Sequence, residues 1–410
     1  MQKVIQVNVY DKKEDLNKEY ELESLIKTAG GKVEVFISQI IDKPNPSFYI
    51  GKGKVFEIKD IAEKHDIKTA VFDVELSASQ VRNLEETMKI KVVDWTTLIL
   101  DIFASRARTK EARLKIHLAQ LKYSLPRLNK WFSYLSRQAG GIGTRGPGET
   151  MLETDRRAVI RDIKFLEEKL KKLEVTKKVN RKSRQDSINV SLVGYTNAGK
   201  STILNNMLKL YGNEKYVYSD DLLFATLDTA TRRLTLDKKE ITLTDTVGFI
   251  DNLSEELNES FLTTLEEIKF SDILLIVIDS SKKDIDLQID TIDKALEKVK
   301  AKDKEMIYVF NKVDTLDDDL RLRAYKKYKN RIYISAKKTD DIIRLKDSIL
   351  DIIKKDYVDV NLLIPYDKGD VISYFLDHYE VLENKYTDKG ARISINISPI
   401  DYERYKQYIN

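Results

Sequence analysis

The residues with the plainest chemical potential are eight in a row: Gly194-Tyr195-Thr196-Asn197-Ala198-Gly199-Lys200-Ser201. They follow an apolar run at Val190–Val193 and precede a helical pattern from Thr202. A glycine-rich turn between a strand and a helix can point backbone N–H groups inward around phosphate oxygens, and the helix N-terminus adds a favourable dipole. In such a loop Lys200 would reach the β- and γ-phosphates, and the Ser201 hydroxyl would ligate Mg²⁺.

The loop alone does not choose the base. Asn311-Lys312-Val313-Asp314 follows a second apolar run, Met306–Phe310. A carboxylate at Asp314 can accept two hydrogen bonds from a base edge carrying a ring N–H and an exocyclic amine. Guanine has that edge and adenine lacks it, so a buried carboxylate would reject adenine. Asn311 and Lys312 would tie the loop together and cover the base. Ser335-Ala336-Lys337 would turn a backbone N–H toward the guanine oxygen.

Asp245-Thr246-Val247-Gly248 ends the run Ile241–Thr244. Asp245 would hold the magnesium, directly or through water, and the Gly248 amide would sense the γ-phosphate. Between the phosphate loop and this motif lies Phe224-Ala225-Thr226-Leu227-Asp228-Thr229-Ala230-Thr231. One threonine here should complete the magnesium sphere only when the γ-phosphate is present; spacing does not choose among Thr226, Thr229 and Thr231. The residue after Gly248 is Phe249, where Ras-like enzymes carry a water-orienting glutamine. Phe249 cannot polarise water. It either packs, or leaves the catalytic group to a partner, or both.

These motifs need elements to hold them. Strands at Ile188–Val193, Ile241–Thr244, Ile273–Asp279, Met306–Phe310 and Arg331–Ile334 alternate with helical stretches, the pattern of a parallel α/β sheet. Upstream, Val4–Tyr10, Lys32–Ile40, Thr69–Val74 and Lys91–Trp95 read as strands. Helices are expected at Leu16–Ala29, from Gly51-Lys52-Gly53-Lys54 to Lys64, and from a Ser77 cap to Met88. Two longer helices, Ser105–Leu128 and Glu149–Val175, flank the glycine-rich stretch 140–148 and suggest an antiparallel hairpin, followed by a basic linker at Lys177–Arg184. The last residues give a strand near Val358–Ile364, a helix from Asp370, a hairpin turned at Asp388-Lys389-Gly390 and a short terminal helix. The expected architecture is multidomain α/β. It has an N-terminal α/β subdomain (1–104), a basic helical hairpin (105–184), a P-loop domain with a mostly parallel sheet (185–356) and a small C-terminal α+β domain (357–410).

Composition narrows the chemistry. The 410 residues contain no cysteine, which excludes disulfides, iron–sulfur clusters and thiol catalysis and fits a reducing cytoplasm. His65, His117 and His378 are too scattered for a zinc site. No apolar run approaches the ~18 residues needed to span a membrane. The net charge of +4 hides an asymmetry: residues 102–184 hold 22 Lys and Arg against 8 Asp and Glu, a local +14, so the rest sums to −10. A localised basic surface next to glycines that permit close approach points to a polyanion such as RNA. Arg137, Arg145, Arg156 and Arg157 are the candidate contacts.

Residues 188–337 resemble the translation-factor-related GTPases. The stretches Phe224–Asp228 and Asp245–Phe249, with Gly143-Thr144-Arg145-Gly146-Pro147-Gly148-Glu149, Leu152-Glu153 and Asp155-Arg156-Arg157, resemble the HflX family in particular. So do Gly51–Lys54, Gln80 with Arg82–Glu85, and Leu118–Leu121, so the likeness spans most of residues 1–340. It implies a Ras-like GTPase domain and a guanine-nucleotide set running through Gly194–Ser201, Phe224–Asp228, Asp245–Gly248, Asn311–Asp314 and Ser335–Lys337. Lys200, Thr226 and Gly248 are expected at the reacting phosphate. Mg²⁺ is expected on Ser201 and Thr226, with Asp245 acting through water. Thr226 is the family's magnesium threonine; the family has Pro where this chain has Thr229. Related GTPases with Asn in the loop bind K⁺ there, which makes Asn197 the candidate ligand. The resemblance also implies binding to the large ribosomal subunit and its RNA through residues 102–184, and the splitting or rescue of stalled ribosomes; a monomer is expected. The rival readings are a GTP-dependent switch docking a protein, an RNA-remodelling ATPase or GTPase, and a small-molecule P-loop kinase, the last disfavoured by Asn311 and Asp314.

Overall fold

The computed structural model describes residues 2–11, 18–107, 109–139, 147–182, 188–212, 230–246, 248–249, 266–282, 285–316, 328 and 330–410. The described residues fall into two compact units, 2–182 in the first and 188–410 in the second.

The first unit begins with β1 (Gln2–Asp11), α1 (Lys18–Thr28), β2 (Gly31–Ile41), α2 (Lys52–His65), β3 (Thr69–Phe72), α3 (Ala78–Met88), β4 (Lys91–Val93) and α4 (Trp95–Arg106). Its four strands are all parallel, in the order β2-β1-β3-β4. Ile5, Val7 and Val9 alternate along β1 into a core with Ile58 of α2 and Leu84 of α3. The intervening Val4, Gln6, Asn8 and Tyr10 are buried too, as expected of a parallel strand covered on both faces. Ser77 caps α3 in a reciprocal box with Gln80.

The expected strand Lys91–Trp95 stops at Val93, because Asp94 accepts from the Thr97 amide and starts α4 there. That helix is buried on nearly every side, so it carries no apolar stripe for periodicity to detect. α5 (Lys110–Ala139) and α6 (Pro147–Lys182) pack against each other, with Leu166 buried and Lys122 paired to Glu167 at 3.0 Å. Both differ from the expected bounds: Ser105 belongs to α4, so α5 starts at Lys110 and extends past Leu128 to Ala139, and most of the expected linker 177–184 is the last stretch of α6.

The second unit contains β5 (Ile188–Gly194), α7 (Lys200–Tyr211), β6 (Ala230–Leu236), β7 (Lys239–Asp245), β8 (Ile273–Asp279), α8 (Ile285–Lys298), β9 (Glu305–Asn311), β10 (Arg331–Tyr333) and α9 (Thr339–Ile353). The sheet order is β10-β9-β8-β5-β7-β6, parallel except for β6, which pairs antiparallel with β7 at the edge. β8 is fully buried and central. β11 (Val358–Ile364), α10 (Gly369–His378), β12 (Val381–Thr387), β13 (Gly390–Ile397) and α11 (Pro399–Arg404) complete the unit as an antiparallel sheet, β11-β13-β12, whose inner face packs on Phe375 of α10.

Candidate nucleotide site

The phosphate-type loop leaves the C-terminal end of β5, flanked by β7 and β8, where a parallel sheet opens a crevice. Two of its glycines have no substitute. A Cβ on Gly194 would lie 2.1 Å from the Val277 carbonyl oxygen of β8, and Gly199 has φ +98 with its Cβ position 2.1 Å from Asn311 Nδ2. Asn197, exposed at the tip, also takes a left-handed φ of 61. Lys200 is buried, and its Nζ donates to the Gly194 carbonyl at 3.0 Å and the Tyr195 carbonyl at 2.7 Å. Burial pushes its ammonium down to about 8, and the Asp245 charge opposes the shift.

Asp245, at the end of β7, is fully buried and accepts from Ser201 Oγ at 2.6 Å. This hydroxyl and carboxylate are placed to share one hard cation. Among the described residues no group of three or more His, Cys, Asp or Glu could hold a metal by itself. Thr246 is buried with its hydroxyl on the Leu192 carbonyl, so its side chain secures β7 to β5. Gly248 lies against the loop: a Cβ there would sit 2.6 Å from the Thr196 nitrogen and 2.8 Å from Lys200 Nζ. Phe249 is buried beside Tyr195, and its backbone pairs with the loop in both directions, Phe249 N to Gly194 O and Thr196 N to Phe249 O, each 3.0 Å.

Asn311 joins the two halves of the site. Its Nδ2 donates to the Ala198 carbonyl at 2.7 Å, and its Oδ1 accepts from the Ala336 amide at 2.8 Å. The Ala336 amide is thus turned onto Asn311. Lys312, left-handed at φ 64, extends its ammonium to Asp279 at 2.8 Å. Asp314 is exposed rather than buried, because it sits on a single helical turn after Lys312; a base stacked there would itself cover the carboxylate. A hydrogen bond from Ser335, with the nearby Lys337 and Lys338, holds the Asp314 carboxyl below the usual range. Val313 is half-buried and Lys337 exposed.

Family models match consecutive stretches: GTP-binding GTPase N-terminal over residues 17–104, GTP-binding GTPase middle region over 106–184, and 50S ribosome-binding GTPase over 189–312. GTPase HflX of Caldanaerobacter subterraneus is 42% identical, with 100% of this chain and 94% of that protein covered. The Escherichia coli GTPase HflX is 36% identical over 97% of this chain and 93% of its own length. The chain belongs to the HflX family. It is a GTPase with the fold of that family. The crystal structure of SsGBP with GDP is similar at a TM-score of 0.52 and 25% identity, covering 87% of this chain and 99% of the other.

Against this family frame, the structure brings Gly194–Ser201, Asp245, Thr246, Gly248, Asn311–Asp314 and Ser335–Lys337 to one end of the sheet. Phe224, Ala225, Thr226, Leu227, Asp228 and Val247 lie outside the described residues, as does Arg145. Arg137 falls within α5; Arg156 and Arg157 are exposed on α6. Sequence reasoning missed Asp279, which closes the apolar run of β8 and anchors Lys312 while accepting from the Ser281 amide and hydroxyl. A carboxylate ending a buried parallel strand was the available signal. Among the described residues no helix is long and apolar enough to cross a membrane.

Proposed function

We propose that this GTPase binds GTP with Mg²⁺ at the Gly194–Ser201 loop and works in the cytoplasm on the large ribosomal subunit, splitting or rescuing stalled ribosomes. The observation that carries the nucleotide reading is Asn311, whose two hydrogen bonds bind the phosphate loop and the base loop into one frame. Backbone amides of the loop and Lys200 take the phosphates; Asp314 selects guanine. Ser201, Thr226 and, through water, Asp245 would hold Mg²⁺, which neutralises charge on the β- and γ-phosphates when bound. Gly248 and Thr226 report the γ-phosphate.

Phe249 is packed under the loop and offers no polar atom to the attacking water. Hydrolysis then depends on a group brought by the partner, with K⁺ at Asn197 as an internal contributor. Asn197 is exposed at the loop tip, consistent with that role. Equal turnover in K⁺ and Na⁺ would remove the potassium assignment.

The ribosomal reading rests on the +14 carried by residues 102–184, with Arg156 and Arg157 exposed on α6. It is tested by the GTPase rate with and without purified large subunits, alongside co-sedimentation in the GTP-analogue state. Absence of both stimulation and co-sedimentation defeats it and leaves the GTPase intact. Binding through many phosphates must also weaken steeply with salt; a shallow salt dependence would favour a protein partner.

A further inference from the structure

The strands β6 and β7 form a tight hairpin with Leu236 opposite Lys239, so only Asp237 and Lys238 make the turn. Both have positive φ, 43 and 66. A two-residue turn of this hand favours Asn and Gly, and a lysine in it is unfavourable unless something holds it. Two elements hold it. The Asp237 carboxylate takes Lys346 of α9 at 3.0 and 3.1 Å. The Lys238 ammonium reaches into the C-terminal domain and donates to the carbonyls of Leu376 at 2.6 Å and Tyr379 at 3.1 Å, at the end of α10. A cation there satisfies carbonyls that the helix leaves without intrahelical partners and complements its dipole.

The next residue continues the contact. Lys239 Nζ stands 3.3 Å above the Tyr379 ring and 5.2 Å from that of Tyr357. Behind those rings lies the buried Asp401, which accepts from the hydroxyls of Tyr374 and Tyr379. Burial pushes the Lys239 ammonium down to about 8, and the Asp401 charge opposes that shift. Two consecutive lysines therefore fasten the turn to the C-terminal domain, one through backbone carbonyls and one through an aromatic face.

The far end of the same hairpin is the nucleotide site. Ala230 pairs with Asp245 at the open end of the ladder, and Asp245 is the carboxylate bonded to Ser201. Six residue steps along β7, roughly 20 Å, separate the Lys239 contact from Asp245. Moreover, the hairpin is the chain connection between the Phe224–Asp228 segment and the Asp245–Gly248 motif.

We infer that Lys238 and Lys239 are positioning residues for GTP turnover, through which the C-terminal domain sets the hairpin that ends in Asp245. On this inference the hairpin is set differently in the GDP and GTP states, and linkage at equilibrium then requires the nucleotide state to shift the grip on the end of α10 as well. The inference rests on the GTPase activity and stands apart from the ribosomal reading.

The test uses the full chain. Backbone hydrogen exchange at residues 376–379 is compared in the GDP and GTP-analogue states, and single-turnover GTP hydrolysis is followed without ribosomes. The parent should show at least threefold different exchange at the end of α10 between the two states. A Lys238→Ala/Lys239→Met double variant should lose that difference and hydrolyse at least threefold more slowly, with Kd for GTP, from nucleotide titration, within twofold. With Lys239 native, a Lys238→Ala single variant should lose part of each effect, whereas Lys238→Arg, which can cap the same carbonyls, should keep both. Equal exchange in the parent's two states overturns the inference, as does a double variant with the parent's rate, or an Arg variant that behaves like Ala.

Discussion

Two stretches of this chain join a parallel strand to a helix through glycine and lysine, and they are built in opposite ways. In Gly51-Lys52-Gly53-Lys54 the glycines are replaceable. Gly51 has an ordinary φ of −66, and a Cβ there would come 2.9 Å from Gln39 Nε2, the far end of a flexible side chain that can shift. A Cβ on Gly53 would meet nothing within 4 Å. The Gly51 amide is taken by Gln39 Oε1, and Lys54 pairs with Glu57 on its own helix. In Gly194–Ser201 a side chain on either glycine collides with the next strand or with Asn311, and Lys200 is turned inward and buried. A phosphate cradle is thus recognised by glycines that have no alternative and by a lysine that leaves solvent, not by the two letters alone.

The contrast is breakable by substitution. The largest effect is expected from Gly199→Ala, which combines a forbidden φ with a collision at Asn311: GTP affinity should fall by about 100-fold or more, the equivalent of about 3 kcal/mol. Titration with a fluorescent guanine nucleotide checks it, and a loss under tenfold would show that the loop tolerates a side chain. Lys200→Met should cost about 10- to 100-fold in the same titration, since a charge-assisted bond to phosphate is worth about 1.5–3 kcal/mol. Its counterpart Lys54→Met should move affinity by less than about twofold, as a surface pair contributes under ~1 kcal/mol. Asn311→Ala removes two buried hydrogen bonds of about 1 kcal/mol each. A drop of about tenfold in affinity, with a lower melting temperature, is expected; unchanged melting would mean that the two loops hold their places without it. The smallest effect belongs to Gly53→Ala. It should leave nucleotide binding alone and raise stability by up to about 1 kcal/mol in denaturant unfolding.

Much of the fold was legible because local chemistry and global structure agree. Ser77 and Gln80 spell a capping box, Gly30 stands at φ +86 just past α1, and Asp388-Lys389-Gly390 turns the β12–β13 hairpin. What escaped reading lacked a local signal. α4 is buried on nearly every side and has no clean apolar stripe, so its start resembles an extension of β4. The β6–β7 turn is made of Asp237 and Lys238, an Asp without the Gly or Asn that usually follows it in such a turn, and both are held by contacts more than a hundred positions away. In the nucleotide site, residue types announced the phosphate loop and the Asn311–Asp314 motif. The destination of each hydrogen bond was invisible. Nothing in Ser335-Ala336-Lys337 says that the Ala336 amide faces Asn311, or that Lys312 is anchored by Asp279.

Asp94 carries a consequence for anyone who cuts this chain into pieces. Its carboxylate collects the amides of Leu76 and Thr97, the Tyr123 phenol and the Arg127 guanidinium at 2.8 Å, and the last two come from α5. A fragment ending near residue 104 would keep the carboxylate buried and discard its cation and its phenol, leaving a charge in the interior without its counterion. The first half of α5 is for that reason inherited with the N-terminal sheet, and a stable excised piece has to extend past Arg127.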